Sequence, residues 1–320
     1  MQKILNFLSA SSNKMDGNLK KEFIILLGGK SNLAQEIKDS FDIYDYELLI
    51  FSRKDLDLLD QRGIKRVFQK YKPSLIINTA AFTNVEKAEN DFEEAIAVNA
   101  TSLIFIAKLC RNMDIPLIHI STDYVFDGKK NSPYMPQDAP SPLNAYGLSK
   151  RLGEENIISN MEKYLIIRTS WLFGNRDGNF LTNILEQAQN GKDLFVVDDQ
   201  LGSPTSINFL SRCILCASRE ILSNNSFDNW GIYHVSGIPE STWYNFATNI
   251  VDIAFSKKLL KKKLDISPKQ TEKDSGLANR PAYSVLDSSK FQKIFKVELE
   301  SWKAGVSKEI DKIVDRDLRK

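Results

Sequence analysis

The sequence predicts an α/β protein built on a doubly wound parallel sheet. Two observations lead to this prediction: short apolar runs alternate with helix-period runs through the first half of the chain, and a glycine turn follows the first apolar run, residues 23–27. Such alternation is typical of βαβ units, whose strands lie parallel. Loops from several strands then meet at the carboxyl edge of the sheet, where open α/β sheets bind their ligands.

The other elements follow in the same alternation. Further strands are predicted at residues 47–51, 75–78, 116–120, 165–167 and 231–236, and helices at residues 35–40, 61–71, 91–113, 144–158, 180–189, 209–221, 242–255 and 302–318. The assignments rest on the length and the period of each apolar pattern. Trp243 and Tyr244, at the start of one helix, are predicted to be core aromatic residues.

The glycine turn, residues 28–34, lies between a strand and a helix, which is the context that a dinucleotide-binding turn requires. Gly28 permits a tight turn, and the helix N-terminus offers backbone amides and a positive dipole end to a pyrophosphate. A G-x-x-G-x-x-G template places Ser31 and Ala34 at its second and third glycines. The Ser31 side chain would either crowd the phosphate or donate a hydrogen bond to it.

Residues after the second and third strands extend this predicted cofactor site. Arg53 stands where an NAD-binding protein carries an acidic residue, and a guanidinium there suits a 2′-phosphate. The alternative is that Arg53 is a solvated surface charge. Asp57 and Leu58 could reach an adenine edge, and the small residues Ala80 and Ala81 would let a cofactor approach the backbone closely.

Three polar side chains near the fourth strand indicate proton transfer. Thr122 lies at or just past the strand end, while Tyr146 and Lys150 share one face of the helix at residues 144–158. A free phenol titrates near pH ~10, so a neighbouring Lys150 ammonium is expected to lower the pKa of Tyr146. The three groups could move a proton to or from a carbonyl or alcohol oxygen. Tyr-x-x-x-Lys alone also fits a surface aromatic–lysine pair.

The composition argues against several other classes. The 43 basic and 41 acidic residues nearly balance, which disfavours a nucleic-acid binder driven by net charge. Cys213 and Cys216 lie in an apolar helical run without a second ligand pair and are predicted to be core residues. His119 and His234, the two histidines of the chain, lie in strand-like apolar runs and are predicted to be buried and structural. A histidine metal site and a Ser-His-Asp triad are therefore disfavoured.

The chain is predicted to be cytoplasmic, with no membrane partner. Its apolar runs fall short of the ~20 residues of a membrane span. The N-terminus makes a poor signal peptide because its apolar patch is short and is followed by a polar stretch. Residues 1–21 are predicted to form a disordered extension.

Seven short motifs point to a known family. They are Asn78-Thr-Ala-Ala-Phe-Thr83, Val98-Asn99-Ala100, Ser121-Thr-Asp-Tyr-Val-Phe126, Ala145-Tyr146-Gly-x-x-Lys150, Arg168-Thr-Ser-Trp171, Asp199-Gln-x-Gly-x-Pro-Thr205 and Arg280-Pro281. With them the chain resembles an extended short-chain dehydrogenase/reductase, and more closely the dTDP-4-dehydrorhamnose reductase family of sugar-nucleotide enzymes. The resemblance covers residues 22–300 and beyond, and the glycine turn is where the chain departs from the family pattern.

The resemblance implies an NAD(P)H-dependent oxidoreductase that reduces the 4-keto group of a nucleotide-linked deoxysugar, in the first place dTDP-4-dehydro-L-rhamnose to dTDP-L-rhamnose. Thr122, Tyr146 and Lys150 would form its catalytic triad. The implied cofactor contacts are Gly28, Lys30, Ser31, Asn32, Leu33, Arg53, Asp57, Leu58, Ala80, Ala81, Thr83, Asn99, Tyr146 and Lys150. The implied substrate contacts are Thr122, Asp123, Tyr124, Tyr146, Trp171, Asn179, Gln200 and Arg280.

The resemblance also implies two domains. An NAD(P)-binding Rossmann domain would take residues 22–168 and 206–236, and a smaller α/β sugar-nucleotide-binding domain residues 169–205 and 237–320. The choice between NADPH and NADH, a need for Mg²⁺ and the formation of a homodimer stay open. One alternative is a reductase of another nucleotide sugar, and another is a non-catalytic NADP-binding regulatory subunit of methionine adenosyltransferase. The complete Thr-Tyr-Lys set favours an enzyme over a binding subunit. Resemblance of the fold alone could not decide between the two.

Overall fold

The computed structural model of the protein describes residues 22–191, 193–272 and 276–318, so the predicted disordered extension lies outside the described residues. The strands are β1 (Glu22–Leu27), β2 (Tyr46–Phe51), β3 (Leu75–Asn78), β4 (Leu117–Thr122), β5 (Tyr164–Thr169), β6 (Leu172–Phe173), β7 (Leu194–Val197), β8 (Leu201–Gly202), β9 (Thr205–Ser206), β10 (Gly231–His234), β11 (Ser241–Thr242) and β12 (Ile266–Lys269). The α-helices are α1 (Asn32–Asp39), α2 (Gln61–Tyr71), α3 (Val85–Asn90), α4 (Phe92–Ile96), α5 (Ser102–Asn112), α6 (Ala145–Asn160), α7 (Phe180–Gln189), α8 (Ile207–Ser223), α9 (Trp243–Ser256), α10 (Ser289–Phe295) and α11 (Trp302–Leu318).

Six of the strands form one sheet, in the order β10–β5–β4–β3–β1–β2, and every neighbouring pair in it is parallel. The chain moves outward from β1 to β2 and then returns past β1 to β3, so the direction of winding reverses between β1 and β3. This arrangement confirms the predicted doubly wound parallel sheet. The loops after β1, β3 and β4 leave the carboxyl edge at this reversal, which is where such sheets bind their ligands.

Both faces of the sheet are buried. Ile24 and Leu26 pack on one side with residues of α1 and α8, whereas Ile25 and Leu27 pack on the other side with residues of α2 and α5. Successive side chains of a strand point to opposite faces, so a strand covered on both sides is apolar at every position. Burial of each such side chain contributes about 1.5–3 kcal/mol.

A third apolar cluster lies beyond the carboxyl edge of the sheet. It combines Phe173 and Trp302 with the apolar faces of α7, α9 and α11. This cluster supports the part of the chain that follows β5, including the wall of the cleft described below.

The structure adds several short strands and helices that were not predicted, and it differs from the prediction for one long helix. The helix predicted at residues 91–113 is divided by a π-helical turn, Ala97–Thr101, into α4 and α5. The predicted second domain included α10, but Phe291 and Phe295 of this helix pack in the same cluster as Ile24 of the sheet. The helix α10 therefore covers the first core, which favours placing it with the sheet, and the division into domains stays a prediction.

The cysteines lie in the core or against it, as predicted. Cys110 and Cys213 are buried, and burial raises the pKa of both thiols. Among the helices of the described residues, none combines the length and the apolar character that crossing a membrane demands.

Candidate active site

Two adjoining cavities open at the carboxyl edge of the sheet. The first cavity, of about 870 Å³, is lined by the glycine turn after β1 and by the loops after β2 and β3. The second cavity, of about 420 Å³, extends from the N-terminus of α1 across the end of β4 to the start of α9. The two share the lining residues Ser31, Thr79, Ala81 and Thr83. They therefore form one continuous cleft.

The first cavity carries an excess of positive charge. Its charged lining residues are Lys30, Arg53, Lys54, Lys87, Asp57 and Glu94. The Arg53 guanidinium pairs with Asp57 at 3.2 Å and with Glu94 at 3.4 Å. Both ion pairs are solvent-exposed, and such pairs contribute only about 0–1 kcal/mol. A phosphate group in the cavity could therefore compete for the guanidinium.

Thirteen of the fourteen predicted cofactor contacts line this cleft, and Asn99 is the exception. The Asn99 amide group donates to Phe82 O at 3.0 Å and to Ser149 Oγ at 2.9 Å, and its oxygen accepts from Phe82 N at 2.8 Å. Asn99 is buried and lines neither cavity. In this structure Asn99 holds the loop after β3 against α6, and its predicted contact with the cofactor stays a prediction.

The glycine turn has the geometry that its sequence predicts, but Ser31 has another role. Gly28 has a φ of +86°, and a Cβ there would lie 2.5 Å from Ala80 N. Ser31 Oγ accepts from Ala34 N at 3.1 Å and lies 3.1 Å from Thr79 Oγ1. Since Thr79 donates its hydroxyl proton to Leu27 O, Ser31 must donate to Thr79. Its one proton is engaged by Thr79 and its oxygen caps α1, so the predicted donation to a phosphate would require the contact with Thr79 to break.

Thr122, Tyr146 and Lys150 meet in the second cavity. Thr122 ends β4, and α6 begins beside it because Asn144 Oδ1 accepts from Gly147 N at 2.7 Å and caps the helix. A Cβ on Gly147 would lie 2.1 Å from a backbone carbonyl of the loop after β4, so only glycine allows this approach. Lys150 is 2% exposed, which excludes a surface aromatic–lysine pair.

The charge state of Tyr146 differs from the expectation. Burial raises the pKa of Tyr146 to about 12, a hydrogen bond with Thr122 lowers it, and the charge of Asp123 raises it further. The expected lowering of the phenol pKa by Lys150 is therefore not met in this structure. The phenol keeps its proton at neutral pH and is poised as an acid.

Lys150 contacts a residue that sequence reasoning did not place in the site. Its Nζ lies 2.7 Å from Ile120 O and 3.2 Å from His119 Nε2. Burial lowers the pKa of Lys150 to about 8, against the opposing effect of Glu154. His119 is buried, as predicted, but it adjoins Lys150 of the predicted triad. The sequence contains one signal for the role of His119, since it is a polar residue in an apolar strand that ends at Thr122.

Asp123 is a buried carboxyl group beside Thr122. Burial raises its pKa to about 7, although hydrogen bonds from Ser284 and Thr122 oppose this shift. Its Oδ2 has no hydrogen-bond partner among the described residues, and Asp123 lines the second cavity. An unsatisfied buried acceptor is costly. This atom is therefore suited to accept a hydrogen bond from a ligand hydroxyl.

Aromatic rings form the far wall of the second cavity. Trp171 and Trp243 stack with centroids 3.6 Å apart and planes 10° apart, and Phe180 lies 4.6 Å from Trp243. Gly202 makes room for the Trp171 ring, since a Cβ there would lie 2.5 Å from the indole. Trp243 packs against the third apolar cluster, as predicted for a core aromatic residue, and it also lines the cavity.

The predicted substrate contacts divide into two groups. Those that line the second cavity are Thr122, Asp123, Tyr124, Tyr146, Trp171 and Asn179. The amide of Asn179 is largely taken up by its own loop, because Nδ2 donates to Gly174 O at 3.0 Å and Oδ1 accepts from Leu181 N at 3.1 Å. Asn179 therefore contributes to the cavity wall by holding its own loop in place.

Gln200 and Arg280 line neither cavity, and their direct contacts with a substrate stay predictions. Gln200 Oε1 accepts from Trp243 Nε1 at 3.2 Å, and its Nε2 donates to Thr271 Oγ1 at 3.0 Å. Gln200 thus supports the aromatic wall from behind. Arg280 pairs with Glu86 at 2.9 Å.

The cleft fits a dinucleotide and gives no support for a metal ion. The cationic lining of the first cavity, the tight turn at Gly28 and the N-terminus of α1 suit a pyrophosphate and a further phosphate. Within residues 22–191, 193–272 and 276–318, no group of three or more His, Cys, Asp or Glu side chains could hold a metal ion. The Mg²⁺ that the resemblance left open is thus unsupported.

Comparisons with known proteins agree with this site. A family model described as "RmlD substrate binding domain" matches residues 22–314. The chain is 35% identical over 284 residues to dTDP-4-dehydrorhamnose reductase from Aggregatibacter actinomycetemcomitans, covering 88% of this chain and 96% of that protein. It is 36% identical over 259 residues to the Escherichia coli (strain K12) reductase, covering 80% and 85%. The dTDP-4-dehydrorhamnose reductase structure from Bacillus anthracis, in complex with NADP, has a TM-score of 0.83 at 30% identity and covers 91% of this chain and 99% of that one. The chain therefore belongs to the dTDP-4-dehydrorhamnose reductase family.

Proposed function

We propose that the chain is an NADPH-dependent reductase that converts dTDP-4-dehydro-L-rhamnose to dTDP-L-rhamnose. The observation that carries this proposal is the meeting of Thr122, Tyr146 and Lys150 in a cavity that adjoins a cationic dinucleotide-sized cavity. The relatives named dTDP-4-dehydrorhamnose reductase support the substrate, and the NADP complex of the Bacillus anthracis protein supports the cofactor.

Each side chain of the triad has its own role. NADPH, when bound, supplies the hydride that the C4 carbon of the sugar accepts. Tyr146 donates its phenolic proton to the C4 oxygen, so that the carbonyl becomes an alcohol and a phenolate remains. Thr122 holds that oxygen by a hydrogen bond, and Lys150 is placed to bind the nicotinamide ribose. Burial of the site keeps water out and strengthens these electrostatic contacts.

Other residues of the cleft bind and orient the two ligands. Arg53 is the proposed partner of the cofactor 2′-phosphate, because its guanidinium faces the first cavity with only exposed carboxylates as partners. Asp123, Tyr124 and Trp171 are the proposed substrate contacts in the second cavity. Asp123 Oδ2 supports this assignment, since it offers a sugar hydroxyl an acceptor without a partner in the described residues.

A regulatory NADP-binding subunit of methionine adenosyltransferase is the alternative from another class. Such a subunit has no need of a buried phenol that keeps its proton, or of a free carboxylate oxygen beside it. A reductase acting on a different nucleotide sugar would share the same triad. Its substrate would differ in the part that contacts the wall formed by Trp171 and Trp243.

The test is NADPH oxidation by the purified full chain with dTDP-4-dehydro-L-rhamnose, followed by identification of the product sugar. Tyr146→Phe serves as the control for contaminating reductases. Turnover with dTDP-4-dehydro-L-rhamnose is expected, and UDP- and GDP-linked keto sugars should react more slowly. Absence of turnover, together with stimulation of added methionine adenosyltransferase, would replace the proposal by the regulatory alternative.

We further propose a division into a nucleotide-binding part, residues 22–168 and 206–236 together with α10, and a substrate-binding part formed by the remaining described residues. The separate apolar cluster of α7, α9 and α11 supports this division. The cytoplasmic location and the homodimer remain proposals from the sequence. Sedimentation of the purified chain tests the homodimer, and fractionation of cells tests the location.

A further inference from the structure

A threonine hydroxyl at the end of β5 has no partner in the protein. Thr169 is the last residue of β5, is 4% exposed and lines the second cavity. Its Oγ1 is shielded from solvent and makes no hydrogen bond within the described residues. Among the described residues that line this cavity, the other atom of this kind is Asp123 Oδ2. A buried hydroxyl without a partner is costly, so we expect this one to serve a ligand.

The hydroxyl groups next to Thr169 are engaged, which sets this residue apart. Ser121 Oγ donates to Glu154 at 2.5 Å, and Ser170 Oγ donates to Ser203 O at 2.7 Å. Valine has nearly the shape of threonine without the unpaired group, and a β-branched side chain of either kind suits a strand. The fold alone would therefore be served as well by valine at residue 169.

The place of Thr169 in the sheet indicates which ligand reaches it. From the second strand to the fifth, the sheet order is β2–β1–β3–β4–β5. The proposed cofactor follows this order, with its 2′-phosphate at Arg53 after β2, its pyrophosphate at the glycine turn after β1 and its nicotinamide ribose at Lys150 beside β4. Thr169 is the register partner of Thr122, one strand spacing of about 4.8 Å farther along the sheet. The nicotinamide ring, which follows the ribose, therefore reaches the end of β5.

We propose that Thr169 is a cofactor-binding residue whose hydroxyl donates to the carboxamide oxygen of the nicotinamide. The inference rests on the proposed function. A carboxamide oxygen is an acceptor, which is what the unpaired hydroxyl proton lacks. The ring carbon that carries the hydride is bonded to the carbon that carries the carboxamide. A carboxamide held at β5 therefore fixes the rotation of the ring and keeps the hydride beside Thr122, which holds the C4 oxygen of the sugar.

The sugar is the competing ligand for Thr169, and its proposed contacts lie elsewhere. Asp123 and Tyr124 follow the end of β4, and Trp171 follows the end of β5, so all three stand beyond the strand ends. Asp123 Oδ2 already offers a sugar hydroxyl an acceptor without a partner in the described residues. The place at the strand end itself is thus left to the nicotinamide.

Thr169→Val removes the hydroxyl and keeps the branched shape of the side chain. Calorimetric titration with NADPH should show binding about 3–10-fold weaker than in wild type, the net effect of one hydrogen bond. Adenosine 2′,5′-bisphosphate, which lacks the nicotinamide, should bind both proteins equally. Thr169→Ser should restore the NADPH affinity, because serine keeps the hydroxyl. The free energy of unfolding in urea should be unchanged or higher in Thr169→Val, since no protein group loses a partner.

Thr205→Val is the matched control. Thr205 is a buried threonine at the start of β9 that lines neither cavity. Its Oγ1 donates to Ser203 O at 3.1 Å and accepts from Gly237 N at 3.2 Å. Thr205→Val should therefore lower the free energy of unfolding and leave NADPH binding unchanged, the reverse of the result expected for Thr169→Val.

The reduced thionicotinamide analogue of NADPH tests the carboxamide itself. Sulfur replaces the oxygen and is a weak acceptor, so the advantage of wild type over Thr169→Val should shrink. An equal advantage with both cofactors, or an unchanged NADPH affinity in Thr169→Val, would overturn the inference. Unchanged NADPH affinity with a raised KM for the keto sugar would assign the hydroxyl to the substrate instead. If no keto sugar is turned over, the proposed function fails while the titrations still decide the role of Thr169.

Discussion

At the scale of single residues, burial decides the charge of each group in the site. It raises the pKa of Tyr146 to about 12 and that of Asp123 to about 7, and it lowers the pKa of Lys150 to about 8. All three shifts disfavour the charged form, as expected for groups removed from water. A reduction that needs a neutral phenol is well served by such surroundings, because the proton donor is fully protonated across the neutral range.

Tyr146→Phe should therefore lower kcat by about 10²–10⁴-fold, the usual contribution of a general acid. NADPH affinity, measured by calorimetry, should stay nearly unchanged, since the phenol acts in the transition state. Tyr164→Phe is the matched control, because it removes a phenolic hydroxyl from a residue that lines neither cavity. Wild-type turnover in Tyr146→Phe would remove Tyr146 from the mechanism.

Arg53→Ala should lower kcat/KM for NADPH by about 10–100-fold and leave NADH nearly unaffected. The reason is the loss of hydrogen bonds to a charged 2′-phosphate, which contribute about 1.5–3 kcal/mol. Lys54→Ala, at the neighbouring position of the same cavity, is the control for net charge. An unchanged ratio of the two cofactors would mean that Arg53 serves only Asp57 and Glu94.

At the scale of elements, periodicity predicts long segments and fails for short ones. The bounds predicted for the helix at residues 61–71 and the strand at residues 75–78 agree with α2 and β3. The strands β6 and β9 have two residues each and pair with one another across more than thirty positions. A strand of two residues is too short to show a hydrophobic period. Its pairing depends on tertiary contacts that the sequence does not display.

The same limit applies to the site. Thr122, Tyr146 and Lys150 were predictable because their chemistry fixes their spacing on a strand end and a helix. Trp243 and His119 were not, since an aromatic or imidazole ring in an apolar run fits a core position equally well. Gln200 shows the reverse ambiguity: a polar residue in a recognised motif can serve a ligand or, as its bond with Trp243 shows, support a wall residue.

Ser31→Ala should destabilise the protein by about 1 kcal/mol, because it removes the cap of α1. Ser31→Gly should cost only a few tenths of a kcal/mol, since glycine is tolerated at a helix N-cap. Urea unfolding measures both, and calorimetry with NADPH shows whether either change also weakens cofactor binding. A loss of affinity in Ser31→Gly without a loss of stability would restore the direct phosphate contact predicted from the sequence.

Gly153→Ala should be among the most damaging small substitutions in α6. A Cβ at this position would lie 2.1 Å from Asn99 O, in the π-helical turn that packs against the helix. Overpacking of this kind typically costs about 1–3 kcal/mol. Gly174→Ala is the control, because its nearest neighbour is 3.4 Å away. Equal stability of the two variants, by urea unfolding, would contradict the close packing.

At the scale of the whole molecule, one buried polar network joins distant parts of the chain. Arg168 on β5 pairs with Glu154 on α6, and Arg168 Nη1 lies 3.5 Å from His234 Nε2 on β10. His234 Nδ1 donates to Tyr134 O, one hundred residues away in the loop before α6. The network therefore ties that loop to the sheet. A proton added to His234 would place a second cation beside Arg168.

Acid should therefore destabilise the fold through His234. Burial and the nearby Arg168 charge lower the pKa of His234 to about 3 from an ordinary value of 6.5. As the pH falls, His234 therefore takes up a proton in the unfolded chain before it does so in the folded chain. The contribution of His234 to stability is complete above pH 6.5 and is lost as the pH falls. Between pH 6.5 and 4.5 the loss is about 2–3 kcal/mol, at about 1.4 kcal/mol for each pH unit.

A comparison of variants isolates this effect, because Asp123 acts with the opposite sign. Its raised pKa, about 7, means that its contribution to stability is lost as the pH rises and regained as the pH falls. The free energy of unfolding of wild type and of His234→Gln should be measured in urea at pH 6.5 and at pH 4.5. Glutamine keeps a donor for Tyr134 O but does not titrate, so the advantage of wild type over the variant should shrink by about 2–3 kcal/mol across this range. A difference that stays constant with pH would mean that folding does not lower the pKa of His234.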